Sequence, residues 1–230
     1  EGEDVLKGGK GRDVLQGGFG QDVLEGQRGN DTLIGDLGDS YSGDNDILNG
    51  GKGRDTINGN GGDDRIRGNK GNDTLWGEFG QDHISGGARR DTIIGGYDND
   101  RLTGGRGQDV FVFSNQDNGD TDTITDFMKG NDTLDFTGLA NLDAGNLDVS
   151  QNGSDTVLHS YRYSFRLVLE DFDSGDLNFD KGLISNRLDL LSEFNLNYKR
   201  RYGLRVSGAA WYDSVYNTGH DNPGELGGAL

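Results

Sequence analysis

Residues 8 to 112 restate one nine-residue phrase eleven times, beginning GGKGRDVLQ, GGFGQDVLE and GQRGNDTLI. One copy, GDLGDSYSGDNDILN, carries six extra residues and then resumes in register, and a stub, GEDVLK, precedes the series. In every full copy the first position is Gly, the sixth is Asp and the eighth is apolar, from Leu15 and Leu24 through Ile93 and Leu102 to Phe111. A strand turns alternate side chains to opposite faces, so the eighth residue points inward while the seventh and ninth point out. Glycines permit the positive φ angles and close backbone approach of a tight turn. The phrase therefore reads as a six-residue turn followed by a three-residue strand. Two phrases, eighteen residues, make one coil of a flattened parallel solenoid. The fold class that follows is all-β, a parallel β-roll over residues 1–112.

Stacked coils bring like positions together at about 4.8 Å, the spacing of paired strands. The sixth-position acids, Asp13, Asp22, Asp31, Asp46, Asp55, Asp64, Asp73, Asp82, Asp91, Asp100 and Asp109, then stand above one another two repeats apart. Asp55 falls between Asp31 and Asp73, and Asp64 between Asp46 and Asp82. Adjacent carboxylates repel by roughly 1 kcal/mol even in water. The chain also has little with which to oppose that repulsion, being 30% hydrophobic with 42 Gly and a net charge of -18. Such a composition favours disorder unless the acid is neutralised. A cation between stacked turns reverses the sign of the interaction. Carboxylates and turn carbonyls are hard oxygen ligands that select Ca²⁺.

The expected calcium ligands are the aspartates at 13, 22, 31, 46, 55, 64, 73, 82, 100 and 109, with the fourth-position glycines Gly11, Gly20, Gly29, Gly53, Gly62, Gly71 and Gly80. Several ions are expected. Asp91 is set apart, because Arg89 takes the fourth position of its repeat and adds positive charge beside the site. In the next repeat Asp98 takes that position, which Asp tolerates in a left-handed backbone better than Arg does.

These repeats resemble the RTX (hemolysin-type) calcium-binding nonapeptide. The resemblance implies export through a type I secretion channel, followed by folding on Ca²⁺ outside the cell, in support of the secretion and stability of an attached protein. Millimolar extracellular calcium suits weak sites of this kind. The implied location is extracellular, with the cell surface or outer membrane as the alternative. The chain begins inside a repeat, without a signal peptide, as expected of a piece of a longer protein.

Residues 113–180 lose the nine-residue beat and read as a β-rich cap over the last coil, which an open solenoid needs. FVFSNQDNGDTDTITDFMKGNDTLDFTGL resembles the segment closing the roll in serralysin-type metalloproteases and in R-modules of mannuronan C5-epimerases. That likeness implies Asp122 and Asp126 as further calcium ligands; by themselves they read equally as solvated loop acids. In residues 181–230, LDLLSEFNLNY and LRVSGAAWYD flank KRRYG as a β-hairpin. Tyr198, Tyr202, Trp211 and Tyr212 near its ends look like the aromatic girdle of an outer-membrane barrel. DLNFDKGLISNRLDLLSEFNLNY also resembles a porin-like family of outer-membrane proteins. A barrel start and a soluble hairpin both remain open.

No cysteine is present, so disulfides and thiolate metal sites are excluded. The sequence has no H-E-x-x-H, G-x-S-x-G or G-x-x-x-x-G-K-[ST] motif. Its histidines are His83, His159 and His220, with His83 at an outward strand position. The reading is of an accessory module and not an enzyme, to which a metalloprotease or epimerase is attached upstream in the relatives it resembles. The acidic excess argues against nucleic acid as a partner.

The two edges of the roll differ. Odd repeats carry Lys10, Arg12, Arg28, Lys52, Arg54, Lys70, Arg89, Arg90 and Arg106 in their turns. Even repeats carry no base there, and hold Asp36, Asp39, Asp44, Asp63, Glu78 and Asp98, with Phe19, Leu37, Phe79 and Tyr97 at the third position. A regular basic ridge suits an anionic, alginate-like polysaccharide. Lys10, Arg12, Arg28, Lys52, Arg54 and Lys70 are its candidate contacts, and local charge balance is the plainer explanation of them.

Overall fold

The computed structural model describes residues 2–37, 43–117, 119–139, 142 and 146–172, together with the backbone of a strand at 187–189. The terminal hairpin expected within 181–230, with its aromatic residues and His220, otherwise lies outside the described residues, as does Asp39. No helix among them is long and apolar enough to cross a membrane.

The fold is all-β, a parallel β-solenoid of about six coils. One sheet stacks β1 (Val5–Lys10), β3 (Val23–Arg28), β5 (Ile47–Lys52), β7 (Arg65–Lys70), β9 (His83–Ala88) and β11 (Arg101–Arg106). The other stacks β2 (Val14–Gly18), β4 (Thr32–Asp36), β6 (Thr56–Gly61), β8 (Thr74–Phe79), β10 (Thr92–Tyr97) and β12 (Val110–Val112). Consecutive strands alternate between sheets, so every neighbour within a sheet is two repeats away. The register follows the nine-residue frame through the insertion: Leu24 pairs with Leu48 and Leu48 with Ile66.

The core is one column of eighth-position side chains between the sheets. Leu24, Leu33, Leu48, Ile57, Ile66, Leu75, Ile93, Leu102 and Phe111 are each 0% exposed. Seventh and ninth residues face outward, as alternation requires. The strands, however, are longer than the three residues expected. Most run for six, from the seventh position of one phrase through the third of the next. A positive φ at the second position, as in Gly51 (106°) and Gly105 (93°), kinks the strand, and pairing resumes beyond it. Three residues remain for each corner.

The coil pattern continues past residue 112. β13 (Thr121–Ile124) pairs in parallel with β11, and β14 (Thr133–Asp135) with β12. Ile124 and Leu134 extend the core column, both 0% exposed. The phrases TDTIT and NDTLD thus play the fifth-to-ninth positions of two more repeats, after insertions that hide them from a fixed count. β17 (Arg166–Leu169) then pairs in parallel with β13. β16 (Asp155–Ser160) and β15 (Leu147–Asn152) follow it antiparallel. A short β18 (Arg187–Asp189) pairs antiparallel with β14. Phe113, Phe136 and Phe165 close the end of the core, with ring centroids 5.2 to 6.4 Å apart. Arg101 and Glu170 pair through two contacts of 2.8 and 2.9 Å at the surface, tying β11 to the segment after β17.

Candidate metal centre

Each sixth-position aspartate ends a corner, directly before a strand, and its carboxyl turns into the corner. Its backbone N–H donates to Oδ1 of the aspartate one coil further on, at 2.7 to 2.9 Å throughout the repeats. Two rows result. One runs through Asp22, Asp46, Asp64, Asp82 and Asp100, and the other through Asp13, Asp31, Asp55, Asp73, Asp91 and Asp109. The stacking expected of Asp55 and Asp64 is present.

The second oxygen carries the chemistry. Oδ2 of all eleven aspartates is buried and meets no hydrogen-bond donor. It packs over the first-position glycine of its own repeat, where a Cβ on Gly8 or Gly68 would come within 2.7 or 2.6 Å of it. That contact explains why the first position is always Gly. The fourth-position carbonyls point along the solenoid axis toward the next turn: a Cβ on Gly29, Gly53 or Gly71 would overlap the carbonyl oxygen of Gly11, Gly29 or Gly53.

From Asp46 to Asp109, burial drives eight of these carboxyl groups toward the neutral form, because no donor replaces the water lost from Oδ2. It raises Asp73 to about 6, Asp46 and Asp91 to about 7, and Asp64 to about 8. In these four the backbone N–H bond partly opposes the rise, and stacked neighbours add to it. Asp82 and Asp100 are raised furthest, to about 9, by burial and then by the charge of the aspartate one coil back. Asp55 and Asp109 are also raised.

Eleven buried carboxylate oxygens without donors fit a hard divalent cation. Among the described residues no three His, Cys, Asp or Glu side chains converge on one point. An ion in these rows would draw its remaining oxygens from the axial carbonyls, as calcium's high coordination number requires. Asp91 sits as its ten counterparts do, with Arg89 holding its corner at φ 88°, while in the next repeat Asp98 holds the corner of Asp100 at φ 73°. Asp122 continues the row of Asp100, whose N–H it accepts at 2.9 Å. Asp126 does not join it, since its two oxygens accept the Gly104 and Gly105 N–H groups at 2.9 and 2.7 Å. Sequence reasoning passed over Asp117 and Asp132. Asp132 continues the other row after Asp109 at 3.1 Å, and the sixth-position Asp followed by Thr, as in Asp31–Thr32 and Asp73–Thr74, marked it.

The odd-repeat bases form one file at the end of the first sheet: Lys10 pairs with Arg28, Arg28 with Lys52 and Lys52 with Lys70. Arg12 and Arg54 occupy the adjoining corners. On the even edge Phe79 and Tyr97 stack at 4.5 Å with an interplanar angle of 3°.

A parallel β-roll with two internal rows of carboxylates is the architecture of a calcium-binding solenoid. The family model of the RTX calcium-binding nonapeptide repeat matches residues 1–33, 40–75 and 76–111. Over these residues the chain carries RTX-type calcium-binding repeats. A second family model, a protein of unknown function (DUF1302), matches residues 128–228. Among solved structures, the chain is similar to the AlgE6R3 subunit of the mannuronan C5-epimerase from Azotobacter vinelandii. Identity is 29% over 60% of this chain and 78% of that one, with a TM-score of 0.37. It is also similar to the extracellular lipase LipA from Serratia marcescens, at 19% identity over 71% of this chain and 37% of the lipase, with a TM-score of 0.36. Comparison with curated protein sequences gives no significant match.

Proposed function

We propose that the chain is a calcium-dependent folding module of an extracellular bacterial protein, exported unfolded through a type I channel and compacted by Ca²⁺ outside. Residues 1–112 are the folding roll, and residues 113–180 are the cap, into which β13 and β14 carry the coil pattern. The ligands are the sixth-position carboxylates with the fourth-position carbonyls named above. The observation that carries this reading is the series of eleven buried Oδ2 atoms without donors. Bound calcium would supply the positive charge that those oxygens lack. Where calcium is scarce the roll contains its own reason to stay open; where it is millimolar the same groups become ligands. Far-UV circular dichroism of the whole chain should change from coil in chelator to β-structure in millimolar Ca²⁺. A spectrum indifferent to chelator refutes the proposal.

A second reading, binding of an anionic polysaccharide on behalf of an attached enzyme or a surface adhesin, is favoured by the in-register file Lys10, Arg28, Lys52 and Lys70. The outer face of the same sheet adds a shallow groove of about 400 Å³ lined by Arg65, Arg67, His83 and Arg101. Salt-sensitive binding of alginate to the calcium-loaded chain, lost when Lys52, Arg54 and Lys70 are replaced by Ser, is the expected result. Equal binding by that variant reduces the file to charge balance.

A further inference from the structure

The two edges of the roll are unlike, and each carries what the other lacks. The bases of the odd corners, from Lys10 to Arg106, are all exposed. Among the described residues none of them makes an ion pair or a side-chain hydrogen bond. No acid other than the sixth-position aspartates stands in those corners.

The even edge is the reverse, and its corners hold no Lys or Arg. Glu3 and Asp63 are exposed there, and Asp44, Glu78 and Asp98 are partly exposed. Backbone groups fix these carboxylates in place without neutralising them: Asp44 accepts the Gly20 N–H and Asp63 the Gln81 N–H, both at 2.8 Å. An apolar file runs along the same edge at the third position. Phe19 is 56% and Leu37 47% exposed, and Phe79 stacks on Tyr97.

Both edges belong to one solenoid, so they share one axial repeat. Lys10, Arg28, Lys52 and Lys70 succeed one another coil by coil, as Phe79 and Tyr97 do. The step is about 4.8 Å on either side. A copy shifted sideways with its axis parallel therefore sets basic rungs against acidic and aromatic rungs along the whole contact. An unrelated partner would need the same spacing by coincidence.

We propose that this chain associates side by side with itself, the basic edge of one copy docking on the acidic, aromatic edge of the next. The inference goes beyond the calcium reading and needs only the folded roll. Alkyl stems of Lys and Arg cover the exposed rings, while their charged heads reach ring faces and carboxylates. The two surfaces differ, so the contact does not close on itself, and copies add in an open row. About six coils give an edge of roughly 30 Å. That is short for a protein interface, so rows grow with concentration and come apart as salt screens the charges.

Sedimentation velocity of the calcium-loaded whole chain tests the docking. The sedimentation coefficient should rise with protein concentration at low salt and return to the monomer value at high salt. One variant carries Lys52→Glu, Arg54→Glu and Lys70→Glu; a second carries Glu3→Lys, Phe19→Lys and Asp63→Lys. Each alone should stay monomeric. Mixed in equal amounts they should form a dimer and nothing larger, because each keeps one working edge, and that dimer also shows both variants to be folded. A parent chain that is monomeric at every concentration in low salt overturns the proposal, as does growth that either variant leaves unchanged. Variants whose calcium-induced circular dichroism matches the parent, yet which form no dimer when mixed, overturn it as well. Parent monomers that bind alginate through Lys52, Arg54 and Lys70 give the edge to a polysaccharide instead.

Discussion

Replacing Asp82 by Asn should change stability in opposite directions with and without calcium. Asp82 is 0% exposed, and its Oδ1 accepts the Asp64 N–H at 2.8 Å, a bond that the Asn carbonyl can keep. Its Oδ2 has no donor. Burial, followed by the charge of Asp64, raises the group to about 9 in the folded roll from 3.8 when free. At pH 7 the unfolded chain carries this group ionised, whereas the metal-free roll must protonate it or bury its charge. At about 1.4 kcal/mol per unit, folding without calcium is opposed by roughly 4 kcal/mol at this one residue. Asn removes that opposition and also removes a charged ligand. In chelator, an excluded osmolyte should fold Asp82→Asn at a lower concentration than the parent chain. In saturating calcium the variant should melt at a lower temperature, with its calcium midpoint raised roughly tenfold, about 1.4 kcal/mol. Circular dichroism reads both conditions. Destabilisation in chelator as well would refute the claim of an uncompensated buried carboxylate, and an unchanged calcium midpoint would refute its role as a ligand.

Acid should substitute in part for calcium. Groups raised in the fold contribute stability fully below their free value of 3.8 and lose it as pH rises through about 6 for Asp73, 8 for Asp64 and 9 for Asp82 and Asp100. In chelator the β-signal should therefore grow as pH falls from 9 toward 4, and a signal that shrinks over this window contradicts the burial. Arg89→Gly should stabilise the calcium-loaded roll by about 1–2 kcal/mol, because Arg89 holds a left-handed φ of 88° that an L-residue adopts at that cost; thermal melting in Ca²⁺ checks it. Gly53→Ala should do the reverse by roughly 3–5 kcal/mol, from its φ of 135° and the overlap of a Cβ with the Gly29 carbonyl. A melting temperature equal to that of the parent chain would show that the coils do not stack as closely as described.

The repeat made much of this protein legible without coordinates. A fixed beat places residues two phrases apart in adjacent strands, so the core column from Leu15 to Phe111 and the two aspartate rows follow from counting alone. The need for a cation follows from like charges in register. Other features were decided only when the coils packed. Whether a carboxylate at a corner faces water or the interior depends on the kink at the second position and on the space above the first-position glycine, and neither is visible in local pattern. That packing leaves Oδ2 buried without a donor, and it lengthens the strands to six residues. The continuation through Asp122 and Asp132 was hidden for a related reason. A corner accepts extra residues without disturbing the ladder on either side, so the chain keeps its stacking after the sequence has lost its count. Asp117 lies within such an insertion, and only the tertiary structure buries it.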